Sequence, residues 1–183
     1  MKHRPLTFAT LCAVFFLSSV SAWAQTDPYA SVNRLIRAKQ FDAALKAIES
    51  SLSTNPRDPQ MRLLQGVAHT ENGQLEQAKA VYVRLTQEFP ELPEPHNNLA
   101  TIYAQESKFS LARESLEMAV RLNPNYAVAH ENLGDVYVRL AREAYARAAS
   151  LDRSAVTIGP KRVQLETVLR PPAPATTTPA KQP

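Results

Sequence analysis

The chain has 183 residues, of which 44% are hydrophobic, 21% charged and 7% aromatic. These proportions fit one soluble globular domain with short appendages and exclude a fibrous or largely disordered chain. Only four glycines occur beside 27 alanines, which disfavours a turn-rich all-β fold or a Gly-loop nucleotide-binding fold and favours helix.

The first 24 residues have the pattern of a secretory signal peptide. Two basic residues precede an uncharged apolar run over residues 6–20, and the small residues Ala22 and Ala24 follow it. The run is about fifteen residues long, shorter than the ~20 that a membrane-spanning helix needs. We therefore expect cleavage after Ala24, export to the periplasm, and no integral membrane segment in the mature chain.

Cleavage before Gln25 has two chemical consequences. The only cysteine, Cys12, lies inside the apolar run, so the mature chain has no thiol for a disulfide or a metal. The segment removed carries two basic side chains and no acidic one, which leaves 19 basic and 17 acidic side chains, a net charge of +2. A nearly balanced charge is not the pattern of a nucleic-acid-binding protein, so we expect no nucleic-acid partner.

The chain then repeats itself. Three proline-containing steps are separated by 34 residues each: Asn55-Pro56, Phe89-Pro90 and Asn123-Pro124. With Pro93 as position 1 of a unit, position 8 is small in three successive units: Gly66, Ala100 and Gly134. Position 20 is alanine in the first three units: Ala44, Ala78 and Ala112.

This spacing predicts antiparallel helix pairs. The small residues at positions 8 and 20 let two helix backbones approach, and larger residues at position 24 fill the adjoining space: Ile48, Tyr82 and Leu116. The proline at position 32 ends the second helix of each pair. Gly73 supplies the left-handed residue that closes the first helix of the second unit. Each pair must stack on its neighbours to bury its apolar face.

The pattern resembles the tetratricopeptide repeat, most closely over Asn98, Tyr103 and Ala112 of the third unit. The resemblance implies an all-α, right-handed α-solenoid of about 3.5 repeats. The units are residues 25–58, 59–92, 93–126 and 127–153. The first is degenerate, because Pro28 and Val32 stand where a large aromatic and a small residue are usual.

The fourth unit lacks its turn. If Tyr137 is position 11 and Tyr145 is position 24, seven residues separate them where twelve are expected. Leu140 is followed directly by Ala141, which matches position 20, so one long helix is predicted in place of a hairpin. Residues that a returning helix would cover are then left partly bare: Ala144, Tyr145 and Ala148. We expect them to bind the segment 163–169, a partner, or the same helix of a second chain in a homodimer.

Two segments follow the repeats. Residues 154–170 contain Pro160, which can open a short helix with a modest apolar face; it is predicted either to cap the last repeat or to be a loose segment. Residues 171–183 hold five prolines and no valine, isoleucine, leucine or aromatic residue. This composition predicts a disordered tail.

No motif indicates catalysis. His96 and His130 share position 4, and equivalent residues of stacked helices lie about 8–10 Å apart, too far to share a metal routinely. The sequence has no Gly-x-Ser-x-Gly, phosphate loop or HExxH helix. Glu114 and Glu117 are three residues apart, as on a solvated helix face. We therefore predict no enzyme, catalytic residue, cofactor or metal.

The resemblance implies a concave groove lined by positions 2, 5, 9, 12 and 13 of each first helix. In this sequence those positions include Gln60, Leu63, Val67, Thr70, Glu71, Glu94, Asn97, Thr101, Gln105, Val128, Glu131, Asp135 and Arg139. This mixture of apolar and polar groups suits an extended peptide or a partner helix. The alternative is that these are ordinary exposed helix residues.

The resemblance also bears on ligand charge. Peptide-clamp members of the family hold a terminal carboxylate with lysine and arginine at positions 2, 5 and 6. Here positions 5 and 6 are Asn97 and Asn98 in the third unit, and Glu131 and Asn132 in the fourth. Glu71, Glu94 and Asp135 make the middle of the groove acidic. A neutral or basic segment is therefore predicted to bind better than an acidic terminus.

The function predicted from the sequence is a periplasmic, non-catalytic protein-interaction module. The chain is similar to small signal-bearing repeat proteins of Gram-negative bacteria, which are commonly tied to envelope assembly. Two alternatives remain open: a self-associating scaffold subunit without a groove ligand, and an enzyme that acts on envelope polymers.

Overall fold

The structure is a computed structural model that describes residues 27–152, 154 and 156–168. Within these residues the chain forms eight α-helices and no strand. Three hairpins come first: α1 (Pro28–Arg37) with α2 (Phe41–Thr54), α3 (Pro59–Glu71) with α4 (Leu75–Glu88), and α5 (Pro93–Gln105) with α6 (Phe109–Leu122). α7 (Ala127–Leu151) and α8 (Ile158–Val168) follow. The predicted signal peptide, with Cys12, and the predicted tail 171–183 lie outside the described residues.

The first helix of each hairpin begins with proline, whose fixed φ suits the first helical position. Asp58 precedes α3, and its Oδ1 accepts a hydrogen bond of 3.0 Å from the Met61 amide. Asp27 caps α1 in the same way through the Tyr29 amide. These carboxylates satisfy backbone N–H groups that have no partner inside the helix.

The turn inside each hairpin uses a left-handed residue at position 15. The φ angles are 56° at Lys39, 74° at Gly73 and 59° at Ser107. In each case the following amide bonds back to a carbonyl five residues earlier, at 2.8–2.9 Å. The prediction that Gly73 closes α3 with a left-handed conformation is confirmed.

α7 has no such turn. It is a single helix of 25 residues that continues through Leu140 and Ala141. The residues that form positions 15 to 19 of the other units are missing from this one, so no residue is present to take the left-handed conformation. α7 therefore continues beyond the repeat position at which α5, the first helix of the preceding unit, ends.

The core consists of three buried clusters, each of which crosses a boundary between units. The first joins α1, α2 and α3 through side chains that include Val32, Ile48 and Met61. The second joins α4 to α5, and the third joins α5, α6 and α7. Stacking of units therefore buries the apolar faces, and the fold is an all-α solenoid.

The small residue at position 8 is required by close packing in the second unit. A Cβ atom on Gly66 would lie 2.7 Å from Cζ of Tyr82 and closer still to Cε1. The main neighbour of Gly66 across the hairpin is thus the ring of Tyr82, at position 24. In the third unit Ala100 and Leu116 occupy the same two positions and share one buried cluster.

α8 begins at Ile158, two residues before the predicted Pro160, and packs against α7. The Lys161 Nζ atom lies 5.4 Å from the centroid of the Tyr145 ring. None of the side chains of α8 is buried, and Val163 and Val168 are 68% and 65% exposed. α8 therefore packs on the last helix of the repeats with a largely exposed surface, and its role as a cap stays a prediction.

Candidate functional site

The first helices α3, α5 and α7 share one face of the solenoid, here called the groove face, which carries two adjoining depressions. One has a volume of about 200 Å³ and is lined by Val67, Thr70, Glu71, Tyr82, Asn98 and Thr101. The other, of about 120 Å³, is lined by Ala100, Thr101, Ala104, Leu116, Asn132, Asp135, Val136 and Arg139. Thr101 lines both, so the two depressions adjoin at this residue.

Six of the predicted groove residues line these depressions: Val67, Thr70, Glu71, Thr101, Asp135 and Arg139. They come from positions 9, 12 and 13 of their units. The structure thus brings together the predicted residues from the middle and end of each first helix. The predicted residues that line neither depression are Gln60, Leu63, Glu94, Asn97, Gln105, Val128 and Glu131.

Two of these residues, Leu63 and Asn97, occupy position 5 of their units, which is used for contacts with the next unit. Leu63 packs against the cluster that contains Leu99 and Ile102 of the next unit. Asn97 is only 4% exposed, and its Oδ1 accepts a hydrogen bond of 2.9 Å from Asn132 of α7. Leu63 and Asn97 are therefore packing residues at repeat boundaries, and their prediction as groove residues needs correction.

The first unit shows the same use of position 5. Tyr29 occupies it, and its hydroxyl donates a hydrogen bond of 2.8 Å to Oδ2 of Asp58, the residue that caps α3. Glu131 occupies position 5 of the fourth unit and is exposed. No described unit follows α7, so this side chain has no next first helix to contact.

The larger depression has a polar wall of neutral groups. The Thr70 hydroxyl donates to the Gly66 carbonyl at 2.9 Å, so the Tyr82 hydroxyl, 3.3 Å away, is the donor to Thr70. Burial raises the pKa of Tyr82, and hydrogen bonding with Thr70 and Asn98 opposes that rise. Thr101 donates to the Asn98 carbonyl at 2.7 Å. The hydroxyl oxygens keep free lone pairs, which suit a ligand that donates hydrogen bonds.

The smaller depression carries charge. Asp135 is exposed, while the Arg139 guanidinium lies 5.6 Å from the centroid of the Phe109 ring. This stacking holds the long arginine side chain against α6. With Glu71 in the neighbouring depression, the lining has two carboxylates and one cation.

Sequence reasoning missed some of the lining residues, among them Tyr82, Asn98 and Asn132. Tyr82 belongs to a second helix, and its ring reaches the groove face because Gly66 leaves room for it. The signal in the sequence is the coincidence of glycine at position 8 with tyrosine at position 24, which only the second unit and the incomplete fourth unit show.

His96 and His130 occupy the same position of successive units and differ in their surroundings. Burial lowers the pKa of His96, and a hydrogen bond to the Pro90 backbone partly opposes this. His130, at the same position of the next unit, has Nε2 2.9 Å from the Pro124 carbonyl oxygen. Across residues 27–152, 154 and 156–168, no group of three histidine, cysteine or acidic side chains is placed to hold a metal.

None of the described helices combines the length and the hydropathy that crossing a bilayer requires.

Several solved structures share this fold at low sequence identity. The first TPR domain of human RPAP3 has a TM-score of 0.58 and 15% identity, covering 62% of this chain and 90% of its own. The first TPR of Spaghetti (RPAP3), bound to an HSP90 peptide, has a TM-score of 0.57, 15% identity and the same coverage. A thermophilic TPR protein of Thermus thermophilus has a TM-score of 0.57 and 22% identity, covering 77% of this chain and 80% of its own.

Sequence comparison gives the family. No curated protein sequence matches the chain. A family model described as tetratricopeptide repeat matches residues 35–102, and a second, described as TPR repeat, matches residues 100–140. Together the two models span residues 35–140, more than half of the 183 residues. The chain therefore belongs to the tetratricopeptide-repeat family.

Proposed function

We propose that this chain is a non-catalytic interaction module that binds an extended segment of a partner protein along the groove face. The observation that carries the proposal is that the two depressions adjoin at Thr101 on one face of three successive first helices. They offer small apolar surfaces beside hydroxyl and carboxylate acceptors, a combination that binds a peptide backbone and fixes its register. A structural relative, the first TPR of Spaghetti, is bound to an HSP90 peptide, which supports a peptide as the ligand class.

The ligand class follows from the charges of the lining. Glu71 and Asp135 are exposed carboxylates, and Arg139, the one cation of the lining, is held against Phe109. Position 5, where peptide-clamp members of the family carry a cation, has no lysine or arginine in the described units: the residues there are Tyr29, Leu63, Asn97 and Glu131. A neutral or basic segment is therefore the proposed ligand, in preference to an acidic carboxyl terminus.

A direct test uses three sets of fluorescent ten-residue peptides of random sequence with net neutral, basic or acidic charge, scored by anisotropy. Basic and neutral sets should bind better than the acidic set. Thr101→Tyr should abolish binding because the ring fills the junction of the two depressions. Glu71→Lys should reverse the charge preference.

Glu114→Lys on α6 is the matched control, because it makes the same charge change at an exposed residue outside both depressions. Equal binding of all three peptide sets by the unaltered chain and by Thr101→Tyr would remove the groove face as the site.

The proposed location is the periplasm, and the proposed setting is envelope assembly. The support is the basic and apolar pattern of residues 1–24, which ends in Ala22-Trp23-Ala24. Intact mass of the protein purified from an envelope fraction tests this: the mature form should begin at Gln25. A purified envelope form that still carries residues 1–24 would contradict the proposed cleavage.

A further inference from the structure

The fourth unit has an open space over Gly134, here called the notch. In the second unit the Tyr82 ring at position 24 fills the space over Gly66 at position 8. Gly134 is position 8 of the fourth unit and is exposed. Apart from its chain neighbours and the adjacent backbone of its own helix, no atom lies within 4 Å of the place where its Cβ would be. Tyr137, at position 11, is 48% exposed. The side of α7 on which a second helix would pack is therefore bare.

The residues of that second helix are present but displaced. Ala141 and Tyr145 match positions 20 and 24, and they continue α7 because the five residues of the turn are missing. Tyr145 is eleven residues beyond Gly134 on one straight helix, roughly 16 Å along its axis. Tyr145 cannot reach the notch of its own chain.

We propose that two copies of this chain exchange the second halves of α7. Residues 141–151 of each copy serve as the missing second helix of the other copy's fourth unit, and Tyr145 fills the notch over the other copy's Gly134. The arrangement is an antiparallel, twofold-symmetric domain swap, which a shortened hinge favours because the hairpin cannot close within one chain. It rests on the fold and is independent of groove binding.

The charges of α7 support the antiparallel arrangement. Residues 127–138 carry Glu131 and Asp135 and no lysine or arginine, a net charge of −2. Residues 139–151 carry three arginines and Glu143, a net charge of +2. An antiparallel pair places the acidic half of each helix beside the basic half of the other. The dipoles of the two helices then run in opposite directions, which is favourable.

The exposed apolar residues are concentrated at the same end of the described chain. Seven large hydrophobic side chains are exposed among the described residues, and six lie from residue 128 onward: Val128, Tyr137, Leu151, Val156, Val163 and Val168. The chain beyond α8, residues 169–183, has Leu169 as its only large apolar residue. It cannot supply an apolar helix to cover them.

α8 is the other neighbour of Tyr145. It contacts α7 through Lys161 and through an ion pair of Arg142 with Glu166 at 3.8 Å. Because α8 buries none of its own side chains and exposed ion pairs contribute little, it is a weak competitor for this surface. A second copy therefore displaces it from Tyr145.

The first experiment restores the turn. Residues 107–111, which form positions 15 to 19 of the third unit, have the sequence Ser-Lys-Phe-Ser-Leu; they are inserted between Leu140 and Ala141. Light scattering after gel filtration at micromolar concentration should give the mass of two chains for the unaltered protein and of one chain for the insertion. The same insertion between Asp152 and Arg153 is the control and should remain dimeric.

The second experiment exchanges the packing pair. Gly134→Ala alone and Tyr145→Leu alone should each weaken dimerisation about tenfold, whereas the double variant, which copies Ala100 and Leu116 of the third unit, should return to within about threefold of the original. Far-ultraviolet circular dichroism confirms that each variant is folded. Because the two residues are far apart within one chain, recovery can arise only between copies.

Four results would overturn the proposal. One is a monomer at all micromolar concentrations, and another is a dimer that survives the turn insertion. The third is a purely additive effect of the two substitutions. A Gly134→Ala variant that only gains stability would argue the same way, since alanine favours an unpartnered helix.

Discussion

The ring of Tyr82 lies in the space that any side chain at residue 66 would occupy. This contact joins α3 to α4 and also places the tyrosine hydroxyl in the wall of the larger depression, 3.3 Å from Thr70. One glycine therefore determines both the packing of the second hairpin and the polar lining of the groove face.

Gly66→Ala should lower the free energy of unfolding by about 1–3 kcal/mol, because the added methyl group overpacks a buried site. Adding Tyr82→Leu should recover most of the loss, since the third unit packs Leu116 with Ala100 at these positions. Urea unfolding of the single and double variants measures both effects. Unchanged or increased stability of Gly66→Ala would contradict the packing described.

Ser107→Gly should raise the free energy of unfolding by about 1 kcal/mol. Its φ of 59° lies in the left-handed region, which glycine adopts without the steric cost that other residues incur. The matched change Gly73→Ala, at the same position of the second unit, should lower stability by a similar amount. Thermal unfolding of the pair tests the sign, and a loss of stability in Ser107→Gly would show that the serine makes contacts worth more than its strain.

Tyr29→Phe should cost about 1–2 kcal/mol, because it removes a hydrogen bond to the buried carboxylate of Asp58. Asp58→Ala should cost more, since the cap on α3 is lost as well. In a double-mutant cycle the two losses should be less than additive. Full additivity would mean that the tyrosine hydroxyl and Asp58 do not interact.

Stability should fall as the pH is lowered through about 6.5, the usual value for histidine. Burial lowers the pKa of His96 in the folded chain, so the unfolded chain takes up a proton first and protonation favours unfolding. The slope of the free energy of unfolding between about pH 7.5 and pH 5.5 should be smaller in His96→Phe. An identical slope in both proteins would exclude His96 as its source.

Much of the fold was predictable because the repeat depends on particular residue types at a few fixed positions. The 34-residue spacing of the prolines located the hairpins, and Gly73 marked its turn. Counting the residues between Tyr137 and Tyr145 gave the single long helix that the structure shows as α7. These features depend on local chain geometry, which adjacent residues determine.

The groove face was predictable only in part because its lining depends on contacts between units. By analogy with the family, the side chain at position 5 is expected to face the groove. In this chain Leu63 and Asn97 instead contact the first helix of the next unit. The contribution of Tyr82 from a second helix depends on the absence of a side chain at Gly66. Neither effect follows from the periodicity of one helix.

The placement of polar contacts between units has a mechanical consequence. Hydrogen bonds at position 5 join successive first helices at both ends of the stack, Tyr29 with Asp58 and Asn97 with Asn132. At the central boundary Leu63 packs in an apolar cluster. The polar links there, Lys79 to Glu106 at 2.6 Å and Tyr82 to Asn98, both come from the second helix α4. Apolar side chains slide past each other more easily than directional hydrogen bonds stretch. We therefore expect the boundary between the second and third units to be the most flexible one in the solenoid. Bending there widens the groove between α3 and α5, while the contacts of α4 keep the opposite side closed.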